Sequence, residues 1–383
     1  MKRLLILTVI LGMFLGQLAI AATAAEQEIP GKSAFLMDVA TGTVLYAKNE
    51  HAALSPASVT KVMTMLLIME AIDSGLLHWE DTVTASEAAA AKGGSQIYLK
   101  VGETMSVADM VKSIAVSSAN DCACAMAEHL AGSEAAFVEK MNQRAAELGM
   151  EDTHFVNCTG LDDSEDARNH LTSAHDIALM SRELMKYHPD IKQYTTIWMD
   201  TVRNGEFGLS NTNKLVRFYP GATGLKTGFT SGAGYCLSAT AQRDGMELIA
   251  VVMGCETSAQ RFSACKALLD QGFANYALIT PEAPDAQVAV RLGQQPAVRV
   301  VPGEETPLLI AKSQKALVQT HIDLEETVEA PVSQGQRLGS LTVTAEGQTL
   351  AQIPLVAEVT VPRLTVGQLF LKILRRIAMS PEE

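Results

Sequence analysis

A serine and a lysine three positions apart, Ser58 and Lys61, form a pair that could do covalent chemistry. Side chains three apart lie on one face of a helix, so this hydroxyl and this amine come within hydrogen-bonding reach. A serine hydroxyl is a weak nucleophile until a base takes its proton. The apolar neighbours Val62 and Met63 predict a buried amine with a lowered pKa, which suits that base. A helix that starts at Ser58 would also favour the negative charge of acyl transfer.

A second polar cluster consists of Ser118 and Asn120, which precede a helix that begins near Asp121. The hydroxyl of Ser118 could pass protons between Lys61 and a leaving amine, and the amide of Asn120 could hold both a lysine and a substrate carbonyl. Taken alone, this tripeptide is more typical of a helix cap, and an isolated Ser-x-x-Lys is equally unspecific. Neither pattern identifies an active site by itself.

The third motif is Lys226-Thr227-Gly228, inside the glycine-rich stretch 221–234. A strand with so many glycines is weakly stabilised, but it suits a place where a substrate backbone approaches closely and pairs as an added strand. Lys226 would supply a positive charge and Thr227 a hydroxyl for a carboxylate. The alternative is a glycine-rich loop with an incidental lysine.

The three motifs are specific when they occur together in this order, which is the order found in penicillin-binding proteins and class A β-lactamases. The chain resembles the low-molecular-mass penicillin-binding proteins that are D-alanyl-D-alanine carboxypeptidases, over nearly its whole length after the N-terminal segment. Further segments that resemble this family are 33–46, 54–61, 211–215 and 261–273.

The resemblance implies a role for the residues of each motif. Ser58 would be the acylated nucleophile, Lys61 its general base, and Ser118 a proton carrier. The residues that would position the D-Ala-D-Ala terminus of a peptidoglycan stem peptide are Asn120, Lys226, Thr227, Gly228, Phe229 and Arg261. The resemblance implies no metal and no cofactor, and it implies that β-lactams acylate the same serine.

The oxyanion hole implied by the resemblance consists of the backbone N–H groups of Ser58 and Phe229. Some relatives have His at position 229, but only the backbone N–H is needed there. Ala119 stands where many relatives have Gly, which is a small change. Neither departure removes a required group.

For the elements that must position these residues, the resemblance implies an α+β fold: an antiparallel sheet flanked by helices, with a helical subdomain, as in β-lactamases and transpeptidases. Residues 58–72 are apolar almost all round, which predicts a buried helix too short to span a bilayer. The other predicted elements are a hairpin over 33–47, helices over 106–131, 133–148, 171–187 and 258–276, and antiparallel strands over 223–240 and 246–254.

The composition of the sequence changes at 281–284, after which short Val-rich runs alternate with turns that contain Gly, Pro and charged residues. They predict a small all-β domain. Residues 365–379 then show apolar positions on one helical face and Lys372, Arg375 and Arg376 on the other, which predicts a basic amphipathic helix that associates with a membrane surface. A terminal helix packed on the β domain is the alternative. The predicted units are 1–25, 26–280, 281–362 and 363–383.

The N-terminus predicts export. Lys2 and Arg3 precede the apolar run 4–20 and small residues at 22–25, which is the pattern of a cleaved signal peptide. The net charge of -13 excludes a nucleic-acid binder of the usual basic kind. The spacing of the six cysteines and eight histidines matches no metal site, and we expect the cysteines to be buried thiols.

Three alternative functions remain at this point. A class A β-lactamase needs a glutamate that activates water, and Glu165 with Asn169 gives a superficial match, although the polar loop around it predicts a surface charge. A D,D-endopeptidase would use the same acyl-enzyme on a cross-linked peptide. A binding protein without turnover is the non-enzymatic alternative, but it would be expected to lack Ser58 or Lys61.

Overall fold

The structure is a computed structural model, and it describes residues 28–378 except Ala283 and Glu305. The predicted signal peptide, 1–25, lies outside the described residues, as does Met379 at the end of the last predicted helix. The predicted α+β class is confirmed: a sheet with helices on both faces is followed by an all-β unit.

The strands of the first unit are β1 (Ser33–Asp38), β2 (Val44–Lys48), β3 (Thr82–Thr84), β4 (Thr104–Ser106), β5 (Met199–Val202), β6 (Phe207–Ser210), β7 (Ala222–Thr230), β8 (Gly234–Arg243) and β9 (Met246–Cys255). Five of them form an antiparallel sheet in the order β2-β1-β9-β8-β7. The predicted hairpin is β1 and β2, and the strand carrying Lys-Thr-Gly, β7, lies at an edge of the sheet.

The α-helices of this unit are α1 (Lys61–Asp73), α2 (Glu87–Ala90), α3 (Val107–Ser117), α4 (Asn120–Ala131), α5 (Glu134–Glu147), α6 (Ala174–Tyr187), α7 (Lys192–Thr195), α8 (Leu215–Phe218) and α9 (Ser258–Asn275). Side chains alternate across β1, so Phe35 and Met37 pack with the large helical cluster while Ala34 and Leu36 pack on the side of α9. Both faces of the sheet are therefore buried.

The structure corrects two predicted elements. The helix predicted over 106–131 is two helices, because Ser118 takes a left-handed conformation with φ 63° and ends α3; the second helix begins at Asn120, close to the start near Asp121 predicted from the Ser118 motif. The single strand predicted over 223–240 is two strands, because the chain turns at 231–233 before Gly234, which has φ 69°. In both places the hydropathy pattern of the sequence continues without a break, but the backbone turns sharply.

The start of the nucleophile helix also differs from the prediction. Residues Ala57–Thr60 form a 3-10 turn, and the α-helix begins at Lys61 rather than at Ser58. Helix α6 begins after Ser173, whose hydroxyl accepts a hydrogen bond from the backbone N–H of Asp176 at 3.2 Å and so caps the helix.

The strands that follow α9 are β10 (Tyr276–Ile279), β11 (Gln287–Arg291), β12 (Ala297–Pro302), β13 (Leu308–Ala311), β14 (Val318–Leu324), β15 (Thr327–Glu329), β16 (Arg337–Ala345) and β17 (Gln348–Ala357). Six of these strands form a sheet in the order β14-β16-β17-β12-β11-β15, while β10 pairs with β13. The predicted all-β character is confirmed. The last helix, α10, spans Val366–Ala378, and no described helix is long and apolar enough to cross a membrane.

Candidate active site

Ser58 lies in the 3-10 turn directly before α1, and Lys61 is the first residue of that helix. The ammonium Nζ of Lys61 donates to Ser58 Oγ at 3.0 Å and to the carbonyl oxygen of Thr159 at 2.8 Å. Lys61 is fully buried, and burial lowers its pKa from 10.5 to about 7. A neutral amine at this position can accept a proton from the Ser58 hydroxyl near neutral pH.

Ser118 and Asn120 flank the break between α3 and α4. The Oγ atom of Ser118 and the Oδ1 atom of Asn120 are buried, and neither has a hydrogen-bond partner within the part of the chain that the structure describes. The amide nitrogen of Asn120, Nδ2, donates to the carbonyl oxygen of Gly93 at 2.7 Å. An unpaired buried polar atom costs about 1–3 kcal/mol, so these two atoms are suited to a ligand that supplies the missing partners.

The loop around residue 97 is fixed to the first turn of α4 by Asp121. This buried carboxylate accepts the backbone N–H of Ile97 at 3.1 Å and that of Leu99 at 3.0 Å. The backbone N–H of Asn120 in turn donates to the carbonyl oxygen of Ser95 at 2.7 Å. These bonds fix the loop over 95–99 beside Asn120. The Asp121 carboxylate is also close enough to Lys61 for its charge to raise the pKa of Lys61, against the larger effect of burial.

Strand β7 brings Lys226 and Thr227 to the same site. Lys226 is almost completely buried, and its Nζ donates to the carbonyl oxygen of Thr227 at 3.0 Å. Burial lowers the pKa of Lys226 well below its usual value, and the nearby charges of Lys61 and Arg261 lower it further. Lys61 and Arg261, which are 200 positions apart in sequence, therefore both lie close enough to Lys226 for their charges to act on it.

The side chain of Thr227 links β7 to the opposite wall through Thr212. The Thr227 hydroxyl donates to Thr212 Oγ1 at 2.7 Å, and the backbone N–H of Thr212 donates to the carbonyl oxygen of Val116 in α3 at 3.1 Å. Sequence analysis matched the segment 211–215 to the family but assigned Thr212 no role, since a threonine in a polar stretch gives no distinguishing signal.

Arg261 projects from α9 to the back of β7. Its Nη1 donates to the carbonyl oxygen of Gly228 at 3.0 Å, its guanidinium lies over the Tyr235 ring at 5.2 Å, and its Nε is buried with no hydrogen-bond partner among the described residues. Phe229 is half exposed and stacks on Tyr235 with a centroid distance of 4.3 Å. The predicted substrate-binding residues of β7 and α9 thus meet at one end of the strand.

Two glycines let three segments meet at Ser58. A Cβ atom on Gly228 would lie 2.4 Å from the carbonyl oxygen of Pro56, and one on Gly160 would lie 1.8 Å from that of Ala57. Gly160 also has φ +81°, which a side chain disfavours. Glycine is therefore required for β7 and the 159–160 segment to pack against the nucleophile turn.

The structure also locates the residues that sequence analysis set aside. Glu165 is exposed in a short 3-10 turn, as expected of a surface charge. The six cysteines are free and buried. Among the described residues, no group of three or more His, Cys, Asp or Glu side chains is placed to hold a metal ion. His170 is buried behind the nucleophile turn and hydrogen-bonds to Thr60 at 2.7 Å.

A serine held by a buried lysine of lowered pKa, two unpaired polar atoms and a glycine-rich edge strand together define a serine acyl-transfer enzyme. The family model described as D-alanyl-D-alanine carboxypeptidase matches residues 20–257. A second model, described as penicillin-binding protein 5, C-terminal domain, matches residues 276–363.

The chain is 42% identical to D-alanyl-D-alanine carboxypeptidase DacF of Bacillus subtilis over 94% of each chain. It is similar to a crystal structure of penicillin-binding protein 5 from Haemophilus influenzae, with a TM-score of 0.74 and 30% identity over 89% of this chain and 100% of that one. Penicillin-binding protein D2 of Listeria monocytogenes in its ampicillin-bound form matches 64% of this chain and 99% of that one, with a TM-score of 0.56 and 32% identity.

The chain belongs to the D-alanyl-D-alanine carboxypeptidase family of penicillin-binding proteins. It is a serine-type D-alanyl-D-alanine carboxypeptidase that acts on peptidoglycan.

Proposed function

We propose that Ser58 is the nucleophile of this carboxypeptidase and Lys61 its general base. The observation that carries this assignment is the 3.0 Å contact between Lys61 Nζ and Ser58 Oγ, made by an amine whose pKa is about 7. In the first step, the Ser58 oxygen attacks the carbonyl carbon of the terminal D-Ala-D-Ala peptide bond, and the hydroxyl proton passes to Lys61.

The oxyanion of this step is stabilised by the backbone N–H groups of Ser58 and Phe229. The free carboxylate of the substrate is bound by Lys226 and Thr227, and the charge of Arg261 adds to the attraction. Burial holds the pKa of Lys226 well below normal in the free protein. An incoming carboxylate would favour the charged form of this amine, which supports its proposed role in binding the substrate. Arg261 also fixes the Gly228 carbonyl and so the position of the Phe229 peptide.

The second half of the reaction restores the enzyme. As the C–N bond breaks, the leaving D-alanine amine takes a proton through Ser118, whose unpaired Oγ is suited to relay it. Asn120 holds the acylated stem peptide through its unpaired Oδ1. Water then attacks the ester carbonyl and gives a proton to Lys61, the C–O bond to Ser58 breaks as Lys61 returns that proton to Ser58 Oγ, and the shortened peptide leaves.

We also propose that β-lactams acylate Ser58 by the same attack and form long-lived adducts. The ampicillin-bound relative from Listeria, which matches 64% of the chain, supports this proposal. A class A β-lactamase would need a glutamate that activates water, and the exposure of Glu165 argues against that role.

We propose further that the chain is exported by a signal peptide over 1–25 and associates peripherally with the outer face of the cytoplasmic membrane through 363–383. The support is the amphipathic helix α10, whose apolar residues Val366, Phe370 and Leu371 are 86%, 61% and 57% exposed. Deleting 363–383 should release the protein from membrane fractions; retention there would contradict the proposal. The division into 26–280 and 281–362 would be tested by limited proteolysis.

The decisive experiment measures D-alanine release from a pentapeptide ending in D-Ala-D-Ala, together with the intact mass after exposure to penicillin. The parent protein should release D-alanine and gain one penicillin mass. Ser58→Ala should do neither, while Ser74→Ala, a change at an exposed serine, should behave like the parent. An adduct that persists in Ser58→Ala would overturn the assignment, and rapid penicillin hydrolysis without D-alanine release would favour a β-lactamase.

A further inference from the structure

The peptide bond between Ala57 and Ser58 is held from behind by a buried side chain. The Thr60 hydroxyl donates to the carbonyl oxygen of Ala57 at 2.8 Å. A trans peptide is planar, so this carbonyl and the N–H of Ser58 lie in one plane and point in opposite directions. Fixing the carbonyl therefore also fixes the direction of the Ser58 N–H, which is one of the two proposed oxyanion donors.

The proton positions behind this peptide follow from its partners. The backbone N–H of Val156 donates to Nδ1 of His170 at 3.1 Å, so Nδ1 carries a lone pair. The Thr60 hydroxyl has one proton, and the Ala57 carbonyl accepts it. The 2.7 Å contact between Thr60 Oγ1 and His170 Nε2 must then be a hydrogen bond donated by Nε2–H. The chain runs from Val156 through His170 and Thr60 to Ala57 in one direction.

The surroundings keep this chain in a single state. His170 and Thr60 are 2% and 0% exposed, and burial lowers the pKa of His170 to about 4, with the charges of His154 and Lys61 lowering it further. The imidazole is therefore neutral at the pH of the reaction, as the tautomer with its proton on Nε2 requires.

The backbone of Ala57 needs such support. It has φ 48°, a left-handed conformation that costs a non-glycine residue free energy and persists only when its surroundings impose it. Gly160 closes the other side of the same carbonyl, and the adjacent Thr159 carbonyl accepts from Lys61 at 2.8 Å. The segment 159–160 therefore contacts both the peptide that carries the proposed oxyanion donor and the side chain of the proposed general base.

We propose that Thr60 and His170 are positioning residues that orient the Ser58 N–H as an oxyanion donor. This inference rests on the proposed function, because it presupposes acylation of Ser58. Neither side chain needs to touch the substrate: Thr60 acts through the Ala57 carbonyl, and His170 acts by holding the Thr60 hydroxyl in the rotamer that donates to it.

The test compares Thr60→Val, which removes the hydroxyl at nearly constant shape, with Thr60→Ser, which keeps it. Thr195→Val is the matched control, since Thr195 is equally buried and also donates to a backbone carbonyl, that of Thr223 at 2.6 Å. Removing an oxyanion donor outright costs about 100- to 1,000-fold in kcat. A misoriented donor should cost part of this, so we expect a loss of about 10- to 100-fold for Thr60→Val.

Two readouts separate positioning from a merely structural role. A peptide boronic acid forms a tetrahedral adduct with Ser58, and its affinity should fall in Thr60→Val by the same factor as kcat, while KM and the melting temperature change no more than in Thr195→Val. Thr60→Ser should recover both kcat and boronate affinity. Equal kcat and equal boronate affinity in Thr60→Val and Thr195→Val would overturn the inference, as would a loss confined to KM.

Variants of His170 give the same test independently if Thr60→Val does not fold. The amide nitrogen of Gln can take the place of Nε2 and donate to Thr60, whereas Asn is too short to do so. His170→Gln should therefore acylate much faster than His170→Asn, and equal rates would refute the role of the donated hydrogen bond. Failure of the proposed function looks different, because the parent protein itself would then form no adduct at Ser58.

Discussion

Lowering the pH below 7 protonates Lys61, and this should slow the acylation of Ser58 about tenfold for each pH unit. The sign follows from the role of the amine: only neutral Lys61 can accept the Ser58 proton. The rate of acylation should therefore rise with pH along a limb centred at about 7 and level off above it.

The magnitude comes from the burial of Lys61. At its ordinary pKa of 10.5, only about one amine in 3,000 would be neutral at pH 7, whereas with a pKa of about 7 roughly half are neutral. Burial therefore increases the fraction of active base at pH 7 by about a thousandfold. An enzyme with an exposed lysine at this position would show a limb near 10 instead.

The assay is the second-order rate constant for penicillin acylation between pH 5.5 and 9, followed by intact mass. Lys61→Arg keeps the positive charge but cannot deprotonate, so its rate should fall by about 100- to 10,000-fold and show no limb at 7. Lys226→Arg should keep the limb. A flat profile in the parent, or a limb that disappears in Lys226→Arg and survives in Lys61→Arg, would refute the assignment of Lys61 as base.

Three further predictions follow from the packing around the site. Gly160→Ala should lower the melting temperature and abolish acylation, because its Cβ would lie 1.8 Å from the Ala57 carbonyl oxygen; parent-like values of both would contradict the close packing. Ser118→Ala should leave the free energy of unfolding in urea within about 1 kcal/mol of the parent or above it, since it removes a buried hydroxyl without a partner, while kcat falls; a large loss of stability would show a hidden partner. His170 should contribute about 3 kcal/mol to the stability that the parent loses as the pH falls from 6.5 to about 4, because the unfolded chain protonates His170 before the folded one does; His170→Gln should show a loss smaller by this amount in urea titrations, and an equal loss would place the acid sensitivity elsewhere.

Local patterns predicted the parts of the site that depend on neighbouring residues. The spacing of Ser58 and Lys61 predicted their contact, even though Ser58 lies in a 3-10 turn, because a 3-10 turn also brings residues three apart together. The apolar residues after Lys61 predicted its burial and the direction of its pKa shift. These inferences need only the period of a helix and the composition of its faces.

The rest of the site depends on contacts between distant segments, which leave little trace in the sequence. The Thr159 carbonyl that holds Lys61 is a backbone group, and any residue type could supply it. Gly160 stands out only as one glycine in a polar loop, and its need for close approach appears once Ala57 lies against it. Ser118 ends a helix that the surrounding pattern continues, because its left-handed conformation is imposed by tertiary packing rather than by its own preference.

The charges of the site explain why it is stable without substrate and yet suited to bind it. Lys61 and Lys226 are both buried, and each has a pKa below that of an ordinary lysine. The free protein therefore avoids placing two full positive charges in one buried site. A substrate carboxylate at Lys226 would favour its charged form, whereas Lys61 must stay neutral to act as base. The roles we propose thus assign the two lysines opposite protonation states, and the free carboxylate of the substrate is the group that can select between them.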